Sequence, residues 1–158
     1  MTTTAVDLRR PAPHRCDAMT ASFAVVPCNG ERLPRDEDAR RVRAMRRLTA
    51  ARLKLVGLEA MADDVLVIVS ELLTNALMHS GTWEISLSLV VQADSLRIEV
   101  RDGMPGKAEA KRPEPSDESG RGLWLLDALV AERRGTWGTL DAGACTWCTL
   151  PLATGAQK

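Results

Sequence analysis

The chain is poor in aromatic side chains, in cysteine and in net charge. Aromatic residues make up 3% of its 158 residues, with one phenylalanine and no tyrosine, and there are four cysteines. Four cysteines in a chain of this length do not indicate a disulfide scaffold. Lys and Arg together number 21, as do Asp and Glu, so no global field draws the chain to nucleic acid or to an anionic membrane. We therefore expect neither direct nucleic-acid binding nor membrane association.

Long apolar runs are also missing. No stretch approaches the roughly 18–20 apolar residues that a membrane-spanning helix needs. Residues 1–15 carry charges and two prolines but no apolar core of a secretory signal. We expect a cytoplasmic protein. The hydrophobic fraction of 45% and the charged fraction of 27% are ordinary for one globular domain.

Periodicity along the chain predicts both helices and strands. In chain order the predicted elements are a short edge strand at 22–26, helices at 35–56 and 59–78, a hairpin of 83–91 with 96–101, a helix at 122–131, and a hairpin of 135–140 with 144–150. Helices grouped against hairpin-paired strands predict an α+β sandwich. We predict a flexible tail over residues 1–20, a domain over 21–152 and a C-terminal tail over 153–158. Residues 103–120 form a long loop, and such loops are often functional lids.

The second predicted helix carries a polar stripe on an otherwise aliphatic sequence. Glu71, Asn75 and His79 recur at a spacing of four residues, which places them along one face. Burying such groups without partners costs on the order of 1–3 kcal/mol each. The stripe is therefore either a solvent-facing edge or a binding site.

Two glycine-containing segments follow. The first segment, Asp-Gly-Met-Pro-Gly, runs from Asp102 to Gly106 and directly follows a predicted strand. This segment reads either as a simple turn or as a fixed carboxylate beside backbone that a ligand can approach closely. The second segment, Gly120-Arg121-Gly122-Leu123, opens a predicted helix. It is either a helix cap or a phosphate site that uses free N–H groups.

Together and in this order, the three segments resemble the Bergerat-type ATPases, the superfamily of gyrase and the histidine kinases. The run from Glu71 to His79 resembles the N-box of that superfamily, and the other two segments resemble its glycine boxes. Among compact members, the chain is most similar to the anti-sigma-factor serine/threonine kinases. The resemblance implies a two-layer sandwich with helices on one face of a mostly antiparallel, mixed sheet.

The resemblance also implies ligands and residue roles. ATP and Mg²⁺ would be the cofactors, with Asn75 as a Mg²⁺ ligand and Glu71 as the general base. Asp102 would accept a hydrogen bond from the adenine amino group, and Gly106 would let the backbone pass close to adenine. The segment from Gly120 to Leu123 would hold the phosphates.

Two positions stay open within this resemblance. His79 would lie at the phosphate end of the N-box helix, or it has a core or capping role. The family usually places a threonine beside adenine near the end of the last hairpin. Our register puts Cys145 there, and a shift by one residue puts Thr146 there instead. The first glycine box also departs from the Asp-x-Gly-x-Gly of the sporulation-type kinases.

The implied function is an anti-sigma-type kinase that phosphorylates an anti-anti-sigma-like partner and controls a sigma factor, with a possible homodimer. The alternatives are a nucleotide-gated protein-binding module with little phosphotransfer, and a plain interaction domain without nucleotide. Two other features carry less weight. Cys145 and Cys148 have metal-pair spacing but lie in a predicted strand, where they would point to opposite faces. The arginines between 32 and 52 form a solvated helix face or a docking surface for an acidic partner.

Overall fold

The computed structural model describes residues 17–25, 35–79, 82–102 and 121–152. Its strands and α-helices are, in chain order, β1 (Asp17–Ala24), α1 (Asp36–Leu55), α2 (Ala62–His79), β2 (Glu84–Val91), β3 (Ser95–Arg101), α3 (Arg121–Glu132), β4 (Thr136–Leu140) and β5 (Cys145–Pro151). Short 3₁₀ turns precede α2 and join β4 to β5. The three predicted helices and both hairpins are confirmed, with small shifts at their ends. The predicted lid and C-terminal tail lie outside the described residues.

Strand β1 differs from its prediction at both ends. It begins at Asp17 instead of residue 22, so residues 17–20 belong to the sheet and not to a flexible tail. Its register pairs Asp17 with Val91 and Ala24 with Glu84 of β2. A further tie comes from Arg52 of α1, which forms an ion pair with Asp17. The strand therefore depends on partners that are distant in sequence.

The sheet has the strand order β1-β2-β3-β5-β4, and all four neighbouring pairs are antiparallel. The prediction of a mixed sheet is therefore wrong for the part of the chain that the structure describes. The reason lies in the path of the last elements. Helix α3 returns the chain so that β4 runs in the same direction as β3, but β5 lies between these two strands. Every direct pairing thereby becomes antiparallel.

All three helices pack on one face of this sheet. Helix α2 lies between α1 and α3 and contacts β2 and β3. The strands alternate accordingly, with Leu96, Ile98 and Val100 of β3 buried while Arg97 and Glu99 are half-buried on the other face. Each fully buried leucine or isoleucine side chain contributes about 1.5–3 kcal/mol. Within the described residues, none of the helices combines the length and the apolar character of a membrane-spanning segment.

Helix α1 ends where the sequence predicts. Gly57 has a φ of +79°, a left-handed conformation that favours glycine. The N–H of Leu58 donates to the carbonyl of Leu53 at 2.7 Å, which caps the last turn. The chain can then reverse into α2.

Candidate functional site

Helix α2 carries its polar residues along one side. Asp64, Glu71 and Asn75 are spaced by seven and four residues, so they lie on a common stripe. Glu71 and Asn75 are half-buried, whereas the aliphatic side of the helix is fully buried. His79 is the last residue of α2, and its side chain lies outside the described residues. The stripe is thus neither core nor open surface.

The polar side of α2 faces α3. Arg133, one residue beyond α3, donates from Nε to Oδ2 of Asp64 at 2.5 Å. This contact joins the end of α3 to the beginning of α2, so the two packed helices run in opposite directions. Eleven residues separate Asp64 from Asn75 along α2, and eleven separate the two ends of α3. Both intervals span about 17 Å, which puts the N-terminus of α3 level with Asn75.

The N-terminus of α3 is the predicted phosphate-binding segment. Arg121 and Gly122 lie in its first turn, and Leu123 is buried beneath it. The first N–H groups of a helix have no partner within the helix and carry a partial positive charge, so they suit phosphate oxygens. The side chain of Arg121 is outside the described part of the chain, as are the predicted site residues Gly106 and Gly120.

Asp102 lies at the same end of the molecule. It directly follows β3, and its N–H donates to the carbonyl of Ala144 at 2.9 Å. Strand β2 begins beside the end of β3, since Ser86 pairs with Arg101. Because β2 follows closely after the end of α2, the C-terminal end of α2 lies at this same edge. Alternation along β3 puts Asp102 on the helix side of the sheet with Val100.

The register of β5 separates the two candidates for the adenine threonine. Thr146 pairs with Val100 and is buried on the side that carries the core residue Cys148. Cys145 pairs with Arg101 and faces the opposite side of the sheet. The structure therefore brings Thr146, and not Cys145, to the face that bears Asp102.

Burial shapes the chemistry of Glu71. Desolvation raises the pKa of this carboxyl, so a proton is held more readily than on an exposed glutamate. Within the described residues, neither Glu71 nor Asn75 makes a side-chain hydrogen bond. Two oxygen-bearing groups one turn apart are thus available to a ligand.

The two cysteines of β5 do not form a metal pair. Cys145 and Cys148 lie on opposite faces of the strand, and both thiols are free. Burial raises the pKa of Cys148 to about 12 and also raises the pKa of Cys145. Both thiols therefore remain protonated near neutral pH. Among the described residues, no group of three His, Cys, Asp or Glu side chains could hold a metal ion.

Sequence reasoning missed the contacts that position α3. One is the Asp64–Arg133 ion pair, and the other is a hydrogen bond of 2.9 Å from Nε1 of Trp137 to Oδ1 of Asp127. Together they tie α3 to α2 and to β4. The seven-residue spacing from Asp64 to Glu71 is visible in the sequence. That Arg133 is the partner of Asp64 could not be identified without the fold.

Comparison with known proteins agrees with this geometry. The family model of the histidine kinase-like ATPase domain matches residues 36–147, which is more than half of the chain. No curated protein matches the chain. The matched span runs from α1 into β5 and includes the α2 stripe, Asp102 and the N-terminus of α3. The chain therefore belongs to the family of histidine kinase-like ATPase domains, whose fold binds ATP.

Proposed function

We propose that the protein is an ATP-dependent serine/threonine kinase of the anti-sigma-factor type. Its substrate is a hydroxyl group on an anti-anti-sigma-like partner, and its output is control of a sigma factor. One observation carries the proposal: Glu71 and Asn75, Asp102 and the N-terminus of α3 converge at one end of the domain. The resemblance to anti-sigma kinases supplies the partner class.

The residues at this end divide the reaction between them. Asp102 accepts a hydrogen bond from the adenine amino group, and the N-terminus of α3 holds the phosphates. Glu71 accepts the proton of the partner's serine or threonine hydroxyl. The hydroxyl oxygen forms a bond to the γ-phosphorus while the bond from this phosphorus to the β–γ bridging oxygen breaks. ADP leaves, and the proton remains on Glu71.

A magnesium ion fits the donors that α2 presents. The amide oxygen of Asn75 is a hard ligand of the kind Mg²⁺ prefers. It is half-buried and makes no side-chain hydrogen bond within the described residues. When bound, Mg²⁺ supplies charge neutralisation for the phosphates. Asn75 would hold the ion.

The first test is calorimetric titration of the purified chain with ATP, with and without Mg²⁺, alongside Asn75→Ala. We expect binding that requires Mg²⁺ and is lost in the variant. The second test mixes the chain and γ-labelled ATP with anti-anti-sigma-domain proteins from the same genome. Glu71→Ala should bind ATP like the parent but transfer no label, because a base acts chiefly in the reaction step.

The outcomes separate the kinase from its alternatives. Full kinase activity in Glu71→Ala would remove Glu71 from the role of base. ATP binding without label transfer to any partner would replace the kinase with a nucleotide-gated protein-binding module. Absence of ATP binding in the parent chain would refute the proposal.

A further inference from the structure

Helix α1 has a second apolar side that is not buried by the core of the described residues. Its inner side faces the core, and its outward side repeats apolar residues at intervals of four, three and four. We call this set the outer stripe: Ala44, Leu48, Ala51 and Leu55. Leu48 is 45% exposed and Leu55 is 74% exposed. A helix that packed through one face alone would have no need of leucines here.

A row of cations borders the outer stripe on one flank. We call this set the basic row: Arg40, Arg43, Arg47 and Lys54, all exposed. The ion pairs of α1 instead use Arg41, with Asp38, and Arg52, with Asp17. No member of the basic row makes an ion pair within the described part of the chain. Its charges are therefore not neutralised by ion pairs there, although Asp36 lies four residues before Arg40.

This arrangement has an energetic cost in the isolated chain. Like charges three or four residues apart on a helix destabilise it by about 0.2–0.5 kcal/mol per pair, and Arg40, Arg43 and Arg47 have this spacing. Packing of the inner side against the core holds the helix despite the repulsion. An acidic neighbour would relieve the repulsion while covering the exposed leucines.

We propose that the outer stripe and the basic row form a docking surface for an acidic amphipathic helix of a partner protein. The partner helix would place leucine-like side chains against the stripe at heptad spacing. Its glutamate or aspartate side chains would lie opposite the basic row. This inference does not depend on nucleotide binding at the other site.

A second copy of this chain fits the surface poorly. In a twofold dimer built on α1, the stripe would pair with itself. The basic row of one copy would then meet either the basic row of the other or its second flank, where the carboxylates of Asp38 and Asp17 are already in ion pairs with Arg41 and Arg52. A lipid surface also fits poorly. The stripe has two large apolar side chains and no aromatic one, whereas helices that lie in a membrane interface usually insert several.

The test uses two labelled synthetic helices of about three heptads. Both carry leucine at the two seam positions, and the flanking positions are glutamate in one peptide and lysine in the other. Fluorescence anisotropy with the full chain should show saturable binding of the glutamate peptide that weakens with added salt. The lysine peptide should not bind.

Matched variants locate the surface. Arg47→Glu should weaken glutamate-peptide binding by roughly tenfold or more, as loss of a close charge pair does at other interfaces. Leu48→Ala should weaken it as well. Arg134→Glu makes the same change of charge at an exposed residue away from α1 and should leave the affinity unchanged. Circular dichroism and the melting temperature of each variant confirm that it is folded.

Several results would overturn the inference. Equal binding of the two peptides would do so, as would equal weakening by Arg47→Glu and Arg134→Glu. Binding to phosphatidylserine vesicles without selection between the peptides would assign the surface to lipid. A dimer in analytical ultracentrifugation that Leu48→Glu dissociates would assign it to a second copy. Failure of ATP binding in calorimetry would refute the proposed kinase and leave this surface untouched.

Discussion

Glu71 is half-buried on α2, where desolvation favours its neutral form. Its pKa lies above the ordinary value of 4.5. The ionised carboxylate is the form that accepts a proton, so phosphotransfer should fall as the pH is lowered through this raised pKa. We expect the acid limb of a kcat–pH profile to lie above 4.5. A limb at or below the ordinary glutamate value would mean that another group limits the reaction. In the Asp102→Asn variant, the acid limb of the kcat–pH profile should lie at the same pH as in the parent.

A substitution of Asp102 tests the recognition of adenine. Replacing its carboxylate with the amide of asparagine removes the negative charge and exchanges one of the two acceptor oxygens for a donor. Loss of a hydrogen bond to a charged group costs roughly 1.5–3 kcal/mol, so ATP affinity of Asp102→Asn should fall at least tenfold. The preference for ATP over GTP should shrink with it. If calorimetry gives parent-like ATP affinity, the assignment of Asp102 is wrong.

The register of β5 yields a paired test. Thr146 lies on the helix side of the sheet beside the end of β3, whereas Cys145 lies on the other side. Thr146→Val keeps the shape of the side chain and removes the hydroxyl, and we expect ATP affinity to fall by roughly five- to tenfold, the value of about one hydrogen bond. Cys145→Ser should leave ATP affinity unchanged. The reverse pattern would show that adenine contacts the other face.

At the scale of elements, the turn from α3 into β4 depends on Gly135. A Cβ there would lie 2.4 Å from the carbonyl oxygen of Thr149 and 2.9 Å from Leu150. The first contact is with backbone, which cannot move aside easily. Gly57 differs, because a Cβ there meets nothing within 4 Å and only its φ of +79° is unfavourable.

We therefore expect Gly135→Ala to lower the free energy of unfolding more than Gly57→Ala does. The latter should lose about 1–2 kcal/mol, the usual cost of a left-handed residue with a Cβ. Urea unfolding of both variants measures the difference. Equal losses would show that the backbone at Thr149 moves to accept the methyl group.

The elements that could be predicted from the sequence are those whose signal is local. Helix α1 has apolar residues at helical spacing and a glycine at its end, and the strands of the first hairpin alternate between apolar and polar residues. Strand β1 could be predicted only in part. Its residues, among them Ala18, Thr20 and Ser22, are weakly apolar, and β2 determines the pairing. The antiparallel order of all strands likewise depends on where β5 inserts, which is not a local property.

The candidate site could be predicted from the sequence to the same extent as the fold. The four-residue spacing of Glu71 and Asn75 and the glycines at the start of α3 each left a purely structural explanation open, and the site was indicated by their order along the chain, which resembles that of the Bergerat-type ATPases. The choice between Thr146 and Cys145 was not accessible, because a shift by one residue exchanges the two faces of a strand. The contact between Asp64 and Arg133 joins residues far apart in sequence, so only the folded chain brings them together.

At the scale of the whole molecule, the half-buried Glu71 lowers the free energy of unfolding at neutral pH. The folded pKa of Glu71 is raised, so the folded state binds the proton more tightly than the unfolded chain. Stability attributable to this group is therefore fully present below the ordinary pKa and is lost as the pH rises through the raised one. Glu71→Gln removes the titration. We expect it to be more stable than the parent at pH 7 in urea unfolding.

That advantage should shrink as the pH is lowered towards about 4, where the parent glutamate is protonated. Glu84→Gln, at an exposed residue, is the matched substitution outside the candidate site. A Glu71→Gln variant less stable than the parent at pH 7 would mean that the charged form has a partner in the folded state.

The placement of the four tryptophans gives the domain its own optical signal. Trp137 is hydrogen-bonded to Asp127, and the Trp147 ring lies 4.6 Å from the guanidinium of Arg97. Trp83 is exposed near the start of β2, and Trp124 is 49% exposed in the first turn of α3. Trp124 thus lies on the helix whose N-terminus we propose to hold the phosphates. In a variant that carries phenylalanine in place of the other three tryptophans, its emission would report the state of that helix without any attached dye.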